Sequence, residues 1–369
     1  MAVSCKVLCH FGQSAVCFNI KGIIHLKDAG ILIRLMNQAM VAMGVDVEAV
    51  YQRCGITQAH LDDPQLRTPH EGNLVFWRAV EDVTQDRHIG LHLGEHMPVF
   101  KGQVLEYLFL SSATFGDGLE RALSYQRLLT DAASGSLDLD LGANTACLVA
   151  DMRDSPVRNI RQYNECTVIG LIKFFGYVTG NDFNPSAVEL VSDLPETNSE
   201  EERQTMLDEY QRVLACPVTF GKSSNRIYFS MDILKRHSLH AEPELLKLHE
   251  QLAGKYVAKL EQQDMVTQVN TVIGELLETG DIGSELIAGR LGIKPRAFRA
   301  QLTKAGTNFN QLLSNYRCHL AKRLLACTDE SIDEIVYLTG FSEPSTFYRA
   351  FKRWTDMTPI EYRKEKQAQ

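Results

Sequence analysis

Toward the C-terminus, apolar positions recur three and four residues apart, the spacing of helices that bury one face. In SIDEIVYLTGF, residues 331–341, Ile332, Ile335, Val336 and Leu338 supply that face. Ser331 and Glu334 stand at capping-box spacing, and Gly340 is the stop signal. GFSEPSTFYRAFKRWTDMTPIEYR, residues 340–363, predicts the next helix, with Ser342 as N-cap, Pro344 in the first turn and Thr358-Pro359 as its end. At 100° per residue, Phe347, Phe351 and Trp354 fall within about 60° of one another. Ser345, Tyr348, Arg349, Lys352 and Arg353 occupy the arc from roughly 100° to 240°. One face is apolar and the other is polar and cationic.

The pattern occurs twice. SELIAGRLGIKPRAFRAQLTKAG, residues 284–306, matches the later stretch at an offset of 48, then 49 after one inserted residue. Ile287 corresponds to Ile335, Gly292 to Gly340, Pro295 to Pro344, Phe298 to Phe347 and Leu302 to Phe351. Its outward face carries Arg296, Arg299, Thr303 and Lys304. Between the copies, Phe309, Leu312, Leu313, Tyr316, Leu320 and Leu324 form one apolar stripe, predicting a single linking helix. Short helix, glycine turn and cationic helix make a helix-turn-helix, whose second helix enters the major groove of DNA.

Upstream the pattern is mixed. A helical pattern covers Leu26 to about Arg53, and residues 102–129 read as two helices separated around Thr114–Gly118. SLDLDLGANTACLVADM, residues 136–152, alternates about Gly142-Ala143-Asn144 and predicts a hairpin. A helix over about 160–178, a strand at AVELVSDL, a helix at SEEERQTMLDEYQRVL and a strand at NRIYFS follow. The expected architecture is an α+β N-terminal domain followed by an all-α C-terminal domain with two helix-turn-helix units joined by a long helix. Its expected parts are a lead-in at 1–25, a regulatory domain at 26–241, a linker or dimerisation helix at 242–264 and a DNA-binding domain at 265–369. Within the linker helix, Leu245, Leu248, Leu252, Tyr256 and Leu260 share a face.

Charge sharpens this division. The chain has 38 Lys+Arg and 46 Asp+Glu, yet residues 286–369 hold 14 and 8, leaving an acidic body with a basic end. That polarity fits DNA contact at one end and excludes a protein that coats nucleic acid uniformly. Nine scattered cysteines without a CxxC pair predict reduced thiols in a cytoplasmic protein. No apolar run approaches the roughly 18 residues of a membrane span.

Residues 284–363 resemble the DNA-binding domain of the AraC/XylS family of bacterial transcription regulators, through GFSEPSTFYRAFKRW followed by TPIEYR. One position departs: the family commonly has arginine where this chain has Ala300, while the matching position in the second helix is Arg349. VTFGKSSNRIYFSMDIL, AEPELLKLH and SSATFGDGLERALSYQRLL resemble the effector-binding domain of the AraC-type subgroup typified by ornithine-utilisation regulators. The resemblance implies a sequence-specific, effector-responsive activator that binds double-stranded promoter DNA and a small molecule, contacts RNA polymerase and forms a homodimer. It implies no cofactor and assigns no ligand contacts. Arg349, Ser345, Tyr348, Arg296 and Arg299 are the candidate base readers, because arginine pairs bidentately with guanine. Lys304, Lys352 and Arg353 are the candidate phosphate contacts.

Two other readings stay open: a DNA-binding regulator controlled by a protein partner, and an enzyme with a DNA-binding tail. An internal cavity argues against the first, and no catalytic motif supports the second. His88, His92 and His96 share a helical spacing that can hold a metal, but Gly90 and Gly94 are expected to interrupt the helix and no HExxH is present. They are read as structural histidines. FGKSS at 220–224 lacks the first glycine of a phosphate loop, since that position is Cys216.

Overall fold

A computed structural model describes residues 26–63, 65–152, 155–277 and 282–367. The lead-in expected over 1–25 lies outside the described residues. The chain divides into two compact units after Ala253.

In the first unit the helical pattern read from Leu26 to about Arg53 is realised in two helices after a short strand. Gly44 there adopts φ +71°, a left-handed conformation that breaks the helix. The elements are strand β1 (Lys27–Ala29) and helices α1 (Gly30–Ala42) and α2 (Val47–Cys54), the latter capped by Asp46, which accepts from the Ala49 N–H. Next come α3 (Gln58–Asp62), β2 (Arg67–Pro69), antiparallel to β1, and α4 (Gly72–Thr84), none of them anticipated from the pattern. Helices α5 (Ile89–His96), α6 (Val104–Ser111) and α7 (Phe115–Ser124) follow, with Thr114 capping α7.

The expected hairpin forms from β3 (Ala133–Asp140) and β4 (Thr145–Met152), paired Asp140 to Thr145 at the turn. Helix α8 (Arg161–Val178), β5 (Pro185–Glu189), α9 (Glu200–Leu214), β6 (Val218–Thr219) and β7 (Asn225–Ser230) complete a five-stranded sheet of order β3-β4-β7-β5-β6. Only the β5–β6 pair in that sheet is parallel. Helix α10 (Pro243–Leu276) extends well past the 242–264 segment expected for it.

Gly90 and Gly94 do not interrupt α5. They lie inside it, where a Cβ on Gly90 would stand 2.5 Å from the Gln162 Cα and one on Gly94 would stand 2.9 Å from the Ile169 Cβ. The missing side chains let α8 pack directly on α5. Lys173 of α8 then donates to the carbonyls of Glu95 (2.5 Å) and Met97 (2.6 Å), satisfying acceptors that the end of α5 leaves open. Glu165 is buried on the same helix face, bonded by Arg161 (2.9 Å) and by the Tyr210 hydroxyl. One core lies between α8 and the sheet around Phe109, Phe115, Phe175 and Phe229; a second gathers Met40, Val50, Trp77 and Val80.

Two of the three histidines bind protein groups, while the buried Nδ1 of His88 has no hydrogen-bond partner among the described residues. His92 bridges Asp86 through Nδ1 (2.5 Å) and Glu209 of α9 through Nε2 (2.9 Å), and His96 Nδ1 lies 2.9 Å from the His92 carbonyl. Burial, the largest single effect on His92, favours the neutral ring, but the bonds to Asp86 and Glu209 outweigh it and raise its pKa. Arg212 foremost, with His92, pushes the Glu209 carboxyl down to about 2. A raised imidazole stabilises the fold below its ordinary pKa of about 6.5 and loses that contribution as pH climbs through the raised value. The stability gap between wild type and His92→Gln is therefore expected to be largest near pH 6 and to shrink toward pH 9 in denaturant titrations. A gap independent of pH would refute the charged bridge.

Candidate nucleic-acid interface and internal cavity

The second unit repeats one design. Helices α11 (Ser284–Arg290) and α12 (Pro295–Lys304) form the first helix-turn-helix; α14 (Ile332–Leu338) and α15 (Pro344–Thr355) form the second. Helix α13 (Phe309–Cys327) links them, and α16 (Pro359–Gln367) closes the chain. Ser331 caps α14 by accepting from the Glu334 N–H. The N-cap expected at Ser342 falls instead on Glu343, which makes no side-chain cap bond. Proline drives the residue before it into extended backbone (Glu343 φ −138°, ψ 132°), which is N-cap geometry.

Each reading helix is held by its apolar face. Phe298 and Leu302 are buried in a core with Val269, Ile273 and Leu312, and Phe347 and Phe351 in another with Leu324, Leu325 and Ile335. Trp354 packs on Phe351 and donates its indole N–H to Ser314 Oγ on α13 at 3.0 Å. Arg317, also on α13, donates to the Gly340 carbonyl (2.6 Å) and lies 4.6 Å from the Phe341 ring centroid. A side chain from the linking helix thus fixes the second turn.

The candidate contacts lie on the opposite faces. Ser345, Arg349, Lys352 and Arg353 are exposed on α15, and Arg296, Arg299 and Lys304 are exposed on α12. Arg349 Nε donates to the Ser345 carbonyl at 3.3 Å, and among the described residues no carboxylate pairs with its guanidinium. Arg299 differs, lying 3.9 Å from Glu285 of α11. Tyr348 is half-buried, its ring 6.1 Å edge-on from Phe347. Thr346, passed over in the sequence reading, is exposed in the first turn, at about 260° on the same wheel and just beyond the polar arc.

The first unit contains a partly open cavity of about 390 Å³, lined by residues that include Leu32, Met36, Phe76, Trp77, Leu148 and Phe174. Sequence patterning had assigned no ligand contacts there. At its wall, Asp28 accepts from Thr130 Oγ1 (2.6 Å) and Asn73 Nδ2 (2.8 Å) and contacts His70 Nδ1 (2.9 Å). Burial raises the Tyr163 hydroxyl well above its usual range and pushes the Cys166 thiol up to about 12, so both lining groups stay neutral. The thiol shift also runs opposite to what an oxidant-sensing thiolate needs.

Residues 44–238 match the arabinose-binding domain of AraC transcription regulator, N-term, and residues 287–365 match a helix-turn-helix domain. The chain belongs to the AraC family of transcription regulators. It is 26% identical to the ornithine utilization regulator of Pseudomonas aeruginosa, over 87% of this chain and 91% of that one. It is 31% identical to the HTH-type transcriptional regulator VirS of Mycobacterium tuberculosis, over 42% of this chain and 45% of that one. The crystal structure of the transcriptional regulator CdpR from Pseudomonas aeruginosa aligns over 90% of this chain and 98% of that one, at 21% identity and a TM-score of 0.43. As an AraC-family member the protein is a DNA-binding transcription regulator and not an enzyme. Among the described residues, no helix is long and apolar enough to cross a membrane.

The two turns of this AraC-type module differ in tolerance. Gly292 and Gly340 both have positive φ (+68° and +70°), but a Cβ on Gly292 meets nothing within 4 Å, whereas one on Gly340 would stand 2.9 Å from the Leu277 carbonyl oxygen. Gly292→Ala is expected to cost about 1–2 kcal/mol for the left-handed backbone alone. Gly340→Ala adds a backbone collision and is expected to cost more. Denaturant unfolding of both variants checks this; equal losses would mean that the second turn relaxes freely.

Proposed function

We propose that the protein is an effector-responsive activator in which a small molecule held in the N-terminal cavity alters how the C-terminal module holds promoter DNA. The observation that carries this reading is the cavity of the first unit, of a volume that suits a small ligand rather than a protein segment. Helix α10 contributes Ala253 to a core of the first unit and Val269 and Ile273 to the first helix-turn-helix core. A ligand that reshapes one end of that helix thereby has a covalent route to the other. Contact with RNA polymerase is part of the proposal and rests on the family.

On α15, Arg349 reads a base, Ser345 and Thr346 flank it, and Tyr348 contributes from the rim of the polar face. On α12, Arg296 and Arg299 read bases, Arg299 less freely because Glu285 competes for it. Lys304, Lys352 and Arg353 bind phosphate. Arg349→Ala is expected to reduce discrimination between cognate and scrambled DNA by about 10- to 100-fold, the worth of one bidentate pair. Lys352→Ala is expected to weaken both DNAs alike and flatten the slope of log K against log salt by about 0.9. Equal loss on both DNAs from Arg349→Ala would remove it from base reading.

Homodimerisation is supported by Leu245, Leu248 and Leu252 on α10, which are 48%, 58% and 38% exposed at helical spacing. Leu248→Glu with Leu252→Glu is expected to convert a dimer to a monomer in sedimentation. A wild-type chain that is already monomeric at micromolar concentration would sink the homodimer and leave that row to a different protein partner. The sensor reading is tested by the melting temperature of the full chain against a metabolite panel of amino acids including ornithine, sugars, polyamines and lipids. A dose-dependent rise identifies the signal; no rise with any class would refute the sensor.

A further inference from the structure

The cavity that the sensor reading invokes has a chemistry of its own. Among the described residues its lining contains no lysine or arginine. Its two carboxylates are Asp28, already bonded by His70, Asn73 and Thr130, and Asp151, which accepts the Met152 N–H (2.9 Å) and pairs with Arg158 at 3.3 Å. The lining His60 uses Nδ1 on the Thr57 N–H (3.0 Å). Asn164 and Asn225 bond each other at 2.9 Å, and Gln126 Oε1 accepts the Gly135 N–H at 2.7 Å. The polar wall is thus occupied mostly by its own members.

Among the lining side-chain atoms that are fully buried, one donor has no partner among the described residues. Trp77 lines the cavity, is 4% exposed, and its indole N–H has no hydrogen-bond partner among the described residues. Indole nitrogen only donates, so what it lacks is an acceptor. An unpaired buried donor is costly, and an occupant that supplies an acceptor removes that cost.

We infer that the ligand is an uncharged, mainly hydrocarbon molecule carrying one hydrogen-bond acceptor, such as an ester, ketone or lactone carbonyl, that meets the Trp77 indole N–H. This inference rests on the sensor reading. A free sugar or an amino acid would bury many polar groups against a wall that has few left to offer. A carboxylate would be buried beside Asp28 and Asp151 with no lysine or arginine among the described lining residues to pair it. An ammonium would have to displace the donors that already satisfy Asp28.

A matched series at about pH 8, where acid and amine are both charged, tests the class: methyl decanoate, decanoate and decylamine, with arabinose and ornithine beside them. Binding to the full chain is read by melting temperature and by tryptophan emission, since Trp77 is one of only two tryptophans. Methyl decanoate is expected to bind at least tenfold more tightly than either charged analogue, and Trp77→Phe to weaken the ester several-fold while leaving the unliganded melting temperature nearly unchanged. Gly170 also lines the cavity, and a Cβ there would meet only the mobile end of Met97. Gly170→Leu, which fills the space without harming the helix, is expected to abolish ester binding. Decanoate or decylamine binding as well as the ester would overturn the inference. So would arabinose or ornithine raising the melting temperature while the ester does not, an outcome that leaves the sensor reading standing. No response to any of the five also overturns it, and the broader metabolite panel then decides the sensor reading separately.

Discussion

The first unit depends on a helix contact that two side chains would forbid. Because α5 carries hydrogen at Gly90 and Gly94, α8 can press Gln162 and Ile169 against its backbone. Lys173 fastens the end of that contact by bonding the last carbonyls of α5. The adjoining face of α8, with Tyr163, Thr167, Gly170 and Phe174 at four- and three-residue spacing, is then free to line the cavity. One side of a single helix supplies rigidity and the other supplies the wall. A Cβ at Gly90 would push α8 toward the space a ligand needs, so the contact acts on function through geometry and not through chemistry.

The second unit uses its linking helix in a comparable way. Leu312 of α13 joins the core of the first helix-turn-helix, Leu324 and Leu325 join that of the second, and Leu320 packs on both. Ser314 and Arg317 add polar ties to Trp354 and to the Gly340 turn. Both reading helices are therefore indexed to one rigid element, which fixes the spacing of their cationic faces without either face being used for packing. Base readout needs that economy: a guanidinium enlisted in the core is lost to DNA.

Much of this was legible in the sequence because periodicity and motif agreed. The repeat at Gly292 and Gly340 located both turns, and the apolar stripe from Phe309 to Leu324 located α13. The hairpin followed from alternation, and β7 matched its expected bounds. Errors arose where a residue's local meaning was overridden by tertiary contact. Gly90 and Gly94 were taken as helix breakers, although their role is close packing against a helix some 70 residues away in sequence. Gly44 did break a helix and was missed, and Pro344 moved an N-cap by one residue. The cavity was invisible because its lining is drawn from Asp28 to Asn225, and no linear spacing encodes that convergence.

The two units face opposite desolvation problems, and this explains the division of charge along the chain. A surface for DNA gains from cations that stay hydrated until phosphate releases their counterions, so exposure of Lys352, Arg353 and Lys304 is an asset. A buried chamber gains nothing from an unpaired charge, because its field is unscreened there. Arg158 and Arg161, at the start of the helix that lines the chamber, are spent on Asp151 and Glu165. Burial holds the lining Tyr163 and Cys166 in their neutral forms, and among the fully buried lining atoms that are described the Trp77 indole N–H is left without a mate. A chamber so composed distinguishes ligands by the polar groups they lack, since each additional donor or charge on a ligand must be stripped of water with little returned. Selectivity then comes from exclusion first and from the single unsatisfied donor second, which inverts the order used by the reading helices, where specific hydrogen bonds do the selecting.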